Sequence, residues 1–376
     1  MKIIQGDCLK QLEKLPDESI DMCVTSPPYW ALRDYGMKGQ LGLEPTFQEY
    51  ITKLCDIFDE VKRVLKKTGT CWVNIGDTYA GSMPKKKGDF GKNSKVAKNL
   101  DSAYAMQGTK NQAVSDKCLI QIPSRFAIEM TNRGWILRNE IIWHKPNCMP
   151  SSAKDRFTVD FEKIFFFVKN KKYWFETQYE KSLTEGSKSG TLKEDASEPT
   201  GKISGYNHSG KDFITSDKRN KRAVWKITTK GFKEAHFAVY PEKLIETPIR
   251  AGCPEFICKK CGKAREKTLV DTGKRREVEK YNGKAKKNYS NAKAQNPSDT
   301  KRRILESQSK ILKEQYTDCG CNAGFEGGTI LDPFAGALTT AVVAKKLKRD
   351  YIMIELNPGY IEIGKKRLKE KPEPMI

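Results

Sequence analysis

Short apolar runs and amphipathic stretches alternate through the first 80 residues. Met1 to Gln5 reads as a strand ending at Gly6-Asp7, and Leu9, Leu12 and Leu15 follow at helical spacing until Pro16-Asp17. Ile20 to Thr25 reads as a buried strand, stopped by Ser26-Pro27-Pro28-Tyr29. Tyr50, Leu54, Phe58, Val61 and Leu65 recur every three or four residues, which predicts a helix from Phe47 to Leu65 with one buried face. Gly69 ends it, and Thr70 to Ile75 predicts a third strand reaching Gly76-Asp77. Strand, helix, strand, helix, strand is the order of a parallel sheet.

Residues 81–117 lose this period and carry 8 Lys against 3 Asp, so they predict a loop that orders on binding. Ile122-Pro123-Ser124-Arg125-Phe126 suits a helix start, running to Asn132. Trp135 to Trp143, Lys163 to Lys169 and the short Val224 to Ile227 predict strands, and Pro241 to Arg250 a helix. Between them, residues 177–222 are polar, basic and rich in Gly and Ser. Residues 262–318 form a second basic insertion with 16 Lys/Arg against 8 Asp/Glu. The chain closes as β-α-β-α: strand Thr329 to Leu331, turn Asp332 to Leu338, helix Thr339 to Leu347, strand Tyr351 to Glu355 and helix Pro358 to Lys369. No internal repeat is visible.

Charge gives these insertions a meaning. Of 376 residues, 69 are Lys or Arg and 47 Asp or Glu, a formal charge of +22. Residues 81–117 contribute 8 − 3 = +5, residues 262–318 contribute 16 − 8 = +8, and 177–222 add a further excess. Basic charge concentrated outside the sheet points to a polyanion, nucleic acid first, with solvated lysine-rich loops as the plain alternative. The longest apolar run, Ile164 to Val168, falls far short of the roughly 18 residues a membrane helix needs. The N-terminal residues offer no apolar signal region, so a cytoplasmic, prokaryotic or phage-type protein is expected.

The 11 cysteines divide in two. Cys8, Cys23, Cys55, Cys71, Cys118 and Cys148 are scattered and read as reduced, partly buried thiols. Cys253, Cys258, Cys261, Cys319 and Cys321 gather around one insertion. Cys258-x-x-Cys261 and Cys319-x-Cys321 supply two close thiol pairs suited to tetrahedral zinc, as a zinc ribbon with an unusually long connection. Reduced surface cysteines are the alternative.

Two segments carry candidate chemistry. Thr329 to Thr340 reads as strand, tight turn and helix start, where Gly336 allows close backbone approach and the helix N-terminus offers free N–H groups. The strand ending in Glu355 places an acid where dinucleotide folds bind ribose hydroxyls. Asp7, Ser26, Asp332 and Glu355 would share the carboxyl rim of the sheet. The second segment is Ser26-Pro27-Pro28-Tyr29-Trp30. Two prolines after a strand remove two N–H donors and leave their carbonyls as acceptors, and Tyr29 and Trp30 offer stacking surfaces. Such a turn suits an extruded planar base held by its exocyclic amine. The Ser26 hydroxyl and Pro27 carbonyl would draw the amine hydrogens out of conjugation, freeing its lone pair for a nearby electrophilic methyl group.

At these residues the sequence resembles the S-adenosylmethionine-dependent DNA amino-methyltransferases of the permuted β group. In that family the (D/N/S)PP(Y/F) motif precedes the DPF-type cofactor loop, with a target-recognition region between. The resemblance implies a Rossmann-like α/β sheet with circularly permuted motif order. It makes Ser26, Pro27, Pro28 and Tyr29 catalytic, and Asp7, Asp332, Phe334, Gly336, Thr339, Thr340, Glu355 and Asn357 cofactor-binding. Ile141 to Asn147, Arg156-Phe157-Thr158 and His236-Phe237-Ala238 look like further family segments. Leu338 departs from the pattern, standing where the family loop has its second glycine and placing a side chain beside the cofactor.

Ser before Pro-Pro resembles the cytosine N(4) enzymes, whereas Asp is usual for adenine N(6). None of the 17 prolines precedes a cysteine, against carbon-5 chemistry. The resulting expectation is a site-specific DNA methyltransferase acting on an exocyclic amine, cytosine N(4) favoured, with adenine N(6) or a non-catalytic zinc-ribbon DNA-binding protein as alternatives. Its expected organisation is a catalytic half (1–176), a target-recognition region (177–222) and a cofactor half (223–376) interrupted by the cysteine-rich insertion 253–321. Duplex DNA, a cognate restriction endonuclease and a second copy of the chain are the expected partners, with no membrane.

Overall fold

The computed structural model describes residues 1–32, 34–81, 114–181, 218–229, 231, 239–275 and 310–370. Much of the expected loops 81–117, 177–222 and 262–318, and the segment His236-Phe237-Ala238, lie outside the described residues. The N-terminal elements are β1 (Lys2–Gln5), α1 (Cys8–Leu12), β2 (Ile20–Thr25), α2 (Phe47–Val64), β3 (Leu65–Ile75), α3 (Ile122–Asn132), β4 (Ile136–His144) and β5 (Phe161–Val168). Then come β6 (Tyr179–Lys181), β7 (Lys218–Asn220), β8 (Val224–Lys226), α4 (Glu242–Gly252), β9 (Ile257–Cys258), β10 (Lys267–Arg275) and β11 (Lys310–Tyr316). The chain closes with β12 (Phe325–Glu326), β13 (Thr329–Asp332), α5 (Thr339–Lys346), β14 (Asp350–Glu355) and α6 (Pro358–Glu370).

Eight strands form one sheet in the order β1-β14-β13-β2-β3-β5-β4-β8. Its ladders are parallel except at β5, which runs against both β3 and β4. The C-terminal β-α-β unit is thus threaded between β1 and β2, joining the two ends of the chain in one α/β sheet. From β2 the chain moves through α2 to β3 on one side; from β13 it moves through α5 to β14 on the other. The β13–β2 boundary is therefore a topological switch point, where the carboxyl ends of parallel strands open a crevice.

Period-two alternation divides the core between the two faces of the sheet. In β5, Phe165 and Phe167 join α2 and α3 on one face, while Ile164, Phe166 and Val168 join α4 and α5 on the other. Trp72 stacks on Phe166 with ring centroids 4.1 Å apart. Helix α2 begins where Thr46 Oγ1 accepts a hydrogen bond from the Glu49 N–H at 3.1 Å, half of a Thr-x-x-Glu capping box. Tyr50, Leu54, Phe58 and Val61 form its buried stripe.

Two compact units emerge from the contacts. Met1–Gln178, Arg222–Arg265 and Cys319–Ile376 hold the whole eight-stranded sheet. Tyr179–Lys221 and Glu266–Asp318 form the other unit, with the antiparallel pairs β6–β7 and β10–β11. Strands β10 and β11 depart from the expectation of an irregular insertion. Lys267-Thr268-Leu269-Val270-Asp271 pairs in register with Tyr316 back to Leu312, but so few apolar positions do not declare a strand. Strand β3 also starts earlier than its apolar run, at Leu65. Its ladder with β2 jumps from Leu65 to Thr70, and Gly69 lies in the irregularity.

Leu338 departs from the expectation in a more consequential way. Its backbone is left-handed (φ 58°, ψ 34°), a conformation that favours glycine and costs other residues about 1–2 kcal/mol. The side chain is fully buried against Gly364 of α6, where an added Cβ would lie 2.3 Å from Leu338 Cγ. It therefore fills the core and does not crowd the crevice. Gly364→Ala should overpack this contact and lower stability by about 1–3 kcal/mol. Adding Leu338→Gly should recover part of the loss in thermal unfolding; a double variant no more stable than Gly364→Ala would contradict the packing.

Candidate active site

The carboxyl ends of β1, β2, β13 and β14 open onto a cavity of about 470 Å³, within the size range of small-molecule sites. Gly6 and Asp7 follow β1, Ser26 and Pro28 follow β2, Phe334, Gly336 and Thr339 follow β13, and Glu355 and Asn357 end the β14 rim; all line it. Asp7 also caps α1, accepting from the Lys10 N–H at 3.1 Å.

Two carboxylates shape the loop after β13. Glu355 accepts from the Gly336 N–H at 2.7 Å and the Asn357 N–H at 2.8 Å, one on each oxygen, and keeps further lone pairs for a ligand. Burial pushes its carboxyl above the usual glutamate value, against the pull of these N–H groups. Asp332 differs from the expectation. It is fully buried, and neither it nor Thr340 lines the cavity. Its Oδ1 accepts from Thr25 Oγ1 at 2.6 Å and the Phe334 N–H at 3.1 Å; its Oδ2 accepts from Thr340 Oγ1 at 2.5 Å and Tyr240 Oη at 3.2 Å. Asp332 and Thr340 thus hold the loop from behind. Arg367 of α6 braces its far end, donating to the Ala337 carbonyl and Thr339 Oγ1.

The Ser-Pro-Pro-Tyr turn is held by polar contacts on its far side. Tyr29 Oη donates to Glu162 Oε2 at 2.7 Å, and Asn74 Nδ2 donates to both, at 2.6 and 2.7 Å. Lys145 pairs with the other Glu162 oxygen. Burial, followed by the Glu162 charge, pushes the Tyr29 hydroxyl up, so it stays protonated. Gly76 lies under the ring, since a Cβ there would approach Tyr29 Cε2 to 2.5 Å. Ser26 Oγ lies 3.3 Å from Tyr29 Oη and donates to it, and accepts a long hydrogen bond from Asn74 Nδ2 at 3.4 Å, which leaves the serine one lone pair as an acceptor.

Two expectations for this turn change, at Pro28 and at Trp30. The Pro28 carbonyl is not free: Tyr50 Oη donates to it at 2.8 Å. The Pro27 carbonyl takes no hydrogen bond among the described residues, although Pro27 itself is buried off the cavity wall. Trp30 is no stacking platform: it is buried edge-on against Phe47, with its indole N–H on the Glu44 carbonyl at 2.9 Å.

Sequence reasoning passed over the loop that closes another side of the cavity. Tyr35, Met37, Gln40, Leu41 and Glu44 line it, as do Lys53, Asp56 and Ile57 of α2, Val239, Tyr240 and Tyr360. The available signal was Gly36, Gly39 and Gly42, all left-handed (φ 69°, 83° and 99°) at a spacing of three. Gln40 Oε1 braces this loop by accepting from the Tyr35 N–H at 2.8 Å.

The four expected metal ligands also come together: the sulfurs of Cys258, Cys261, Cys319 and Cys321 lie within 4.8 Å of one another. The backbone N–H groups of Cys261 and Lys260 pull the Cys258 thiol down to about 6. Cys253, the fifth of the sequence cluster, is buried and its thiol is pushed up.

A model of the N6/N4 DNA methylase family matches residues 20–256 and 255–366. The chain belongs to this DNA methylase family. The type II methyltransferase M.SmaI of Serratia marcescens is 32% identical over 369 residues, covering 98% of this chain and 90% of that protein. M.Cfr9I of Citrobacter freundii, also a type II methyltransferase, is 32% identical over 374 residues, covering 100% and 89%. Among solved structures, the PvuII DNA methyltransferase, described as cytosine-N4-specific, shares the fold with a TM-score of 0.51 and 17% identity, over 97% of this chain and 85% of that one. The protein is thus a DNA methyltransferase with the α/β sheet expected of an amino-methyltransferase.

The contacts around Glu162 make a specific demand on this methylase. Asn74→Asp would set a second carboxylate against Glu162, and like charges at that distance raise a carboxyl pKa. Its stability deficit should be largest at neutral pH and shrink on acidification, as the pair comes to share a proton. A deficit independent of pH in thermal unfolding would contradict the arrangement.

Proposed function

We propose that the protein methylates the N(4) amine of cytosine in duplex DNA, with S-adenosylmethionine as methyl donor. The carrying observation is Ser26, an uncharged acceptor at the head of a Pro-Pro-Tyr turn on the wall of a switch-point cavity. Its hydroxyl hydrogen is directed at Tyr29 and Asn74 takes one lone pair, so the other remains for an amine hydrogen. The Pro27 carbonyl is the second acceptor. With both amine hydrogens engaged, the nitrogen lone pair leaves conjugation and can attack an electrophilic carbon; the surplus proton passes to water. Tyr29 stacks on the base that has been turned out of the duplex.

The cavity fits the cofactor in its donor set. Asp7, Phe334, Gly336, Thr339, Glu355 and Asn357 would hold it, with the remaining Glu355 lone pairs suited to ribose hydroxyls. Bound there, S-adenosylmethionine supplies an electrophilic methyl group. Leu338 gives no support to a decayed cofactor loop, because its side chain is buried against Gly364. In the same reading residues 177–222 choose the target, and 81–117 and 262–318 contact the phosphate backbone, so DNA affinity falls steeply with salt. The type II relatives favour a cognate restriction endonuclease as a further partner.

Expression in a host without other methyltransferases, followed by nucleoside mass spectrometry, tests the reading. It predicts 4-methylcytosine; 6-methyladenine would overturn the base, and unmodified DNA would overturn the reaction. Ser26→Ala should keep cofactor affinity and lose most turnover, whereas a normal rate would reject the role of Ser26. Glu355 sets a pH dependence. Because its carboxyl is raised, its charge is lost on acidification at a higher pH than that of an exposed glutamate, about 4.3. Cofactor affinity should therefore begin to fall above that point, and Glu355→Gln should bind weakly and lack this acid limb. A variant that keeps it would contradict the assignment.

A further inference from the structure

The cysteine cluster lies outside the cavity, whose lining includes no residue of 241–332. Each arm is built as a tight turn. In Cys258-Lys259-Lys260-Cys261-Gly262 the Gly262 N–H donates to the Cys258 carbonyl at 2.9 Å, the Cys258 N–H donates to the Lys263 carbonyl at 3.0 Å, and Gly262 is left-handed at φ 68°. In Cys319-Gly320-Cys321 the central glycine is also left-handed, at φ 70°. A backbone ladder joins the arms: β9 pairs with β12 through Phe325 and Cys258, and the Lys259 N–H donates to the Gly324 carbonyl at 3.2 Å.

This small pair of strands has little to stabilise it. Each strand has two residues, and two-stranded sheets are marginal without further support. Ile257 and Cys258 are buried, but Cys261 is exposed and Cys319 and Cys321 are half-buried. The arms also close a long connection, with 319 − 261 − 1 = 57 residues between Cys261 and Cys319, and the entropy cost of closure grows with length. Four sulfurs within 4.8 Å of one another sit close to the spacing of about 3.8 Å that a tetrahedral site with 2.3 Å metal–sulfur bonds requires.

We propose that Cys258, Cys261, Cys319 and Cys321 bind one Zn²⁺ as a closed structural site that clamps together the two ends of the 262–318 insertion. All four ligands bind as thiolates, so the loaded site carries a net double negative charge. Lys259, Lys260 and Lys263, all exposed beside the ligands in sequence, offset that charge. The donor set is all sulfur and complete, so the ion has no open position for catalysis. The inference is independent of whether the insertion touches DNA.

Metal analysis of the full chain purified without added metal should find one zinc per chain. Titration with a mercurial should release that zinc as four thiols react. Cys319→Ser should lose the zinc, and Cys118→Ser, in an exposed cysteine elsewhere, should keep it. If Cys319→Ser does not fold, Co²⁺ added to chelator-treated wild-type protein still decides, because a tetrathiolate site gives an intense sulfur-to-cobalt charge-transfer absorption. Removing zinc should speed proteolysis between residues 253 and 328 and leave calorimetric binding of S-adenosylmethionine unchanged. Metal-free protein that takes up neither Zn²⁺ nor Co²⁺, iron in place of zinc, disulfides among the four cysteines, or unchanged proteolysis would overturn the proposal.

Discussion

One buried carboxylate organises the sheet's functional edge. Asp332 is cut off from water, where an ionised group is stable only if hydrogen bonds replace its hydration. Burial pushes its carboxyl up, and four donors pull it back. Those donors come from the end of β2, the loop after β13, the first turn of α5 and the segment at Tyr240. The group that would be costly alone therefore fixes four pieces of chain around the switch point. Because Thr25 immediately precedes Ser26, the same contact sets the Ser-Pro-Pro-Tyr turn relative to the loop that follows β13.

A division of labour follows. Acids and hydroxyls behind the cavity wall satisfy one another: Asp332 with Thr340, and Glu162 with Tyr29, Asn74 and Lys145. The groups facing the cavity keep unused acceptor capacity, at Ser26 and Glu355. Such a wall is rigid before any ligand arrives, which is the condition under which acceptors can orient a weak nucleophile. Asn74 Oδ1 is an exception, buried beside this network with no hydrogen-bond partner among the described residues.

Much of this was legible in the chain. Ile20 to Thr25 reads as the strand it is, because Ile20, Met22, Cys23 and Val24 put apolar side chains on both faces of a parallel strand, broken only by Asp21 and followed by Ser26-Pro27-Pro28. The stripe of α2 and the β-α-β-α close at the C-terminus are equally plain. Other features depend on partners remote in sequence. Nothing near Pro28 announces that Tyr50 takes its carbonyl, and nothing near Asp332 says that four donors will seal it from the cavity. Leu338 looked like an obstruction, because its direction is decided by a space left at Gly364 on another helix. Strands β9 and β12 are too short to have a period, and the glycine-rich loop at Tyr35 to Glu44 carries no catalytic residue type in a familiar spacing.

The central claim is that the switch-point cavity takes the methyl donor while Asp332 stands behind its wall. A crystal structure with S-adenosylmethionine bound tests this most directly. The ligand is expected in the 470 Å³ cavity, against Gly336, Glu355 and Asn357, with Asp332 keeping all four donors. Ligand bound elsewhere, or Asp332 released from Thr25 and Thr340 to contact it, would contradict the account.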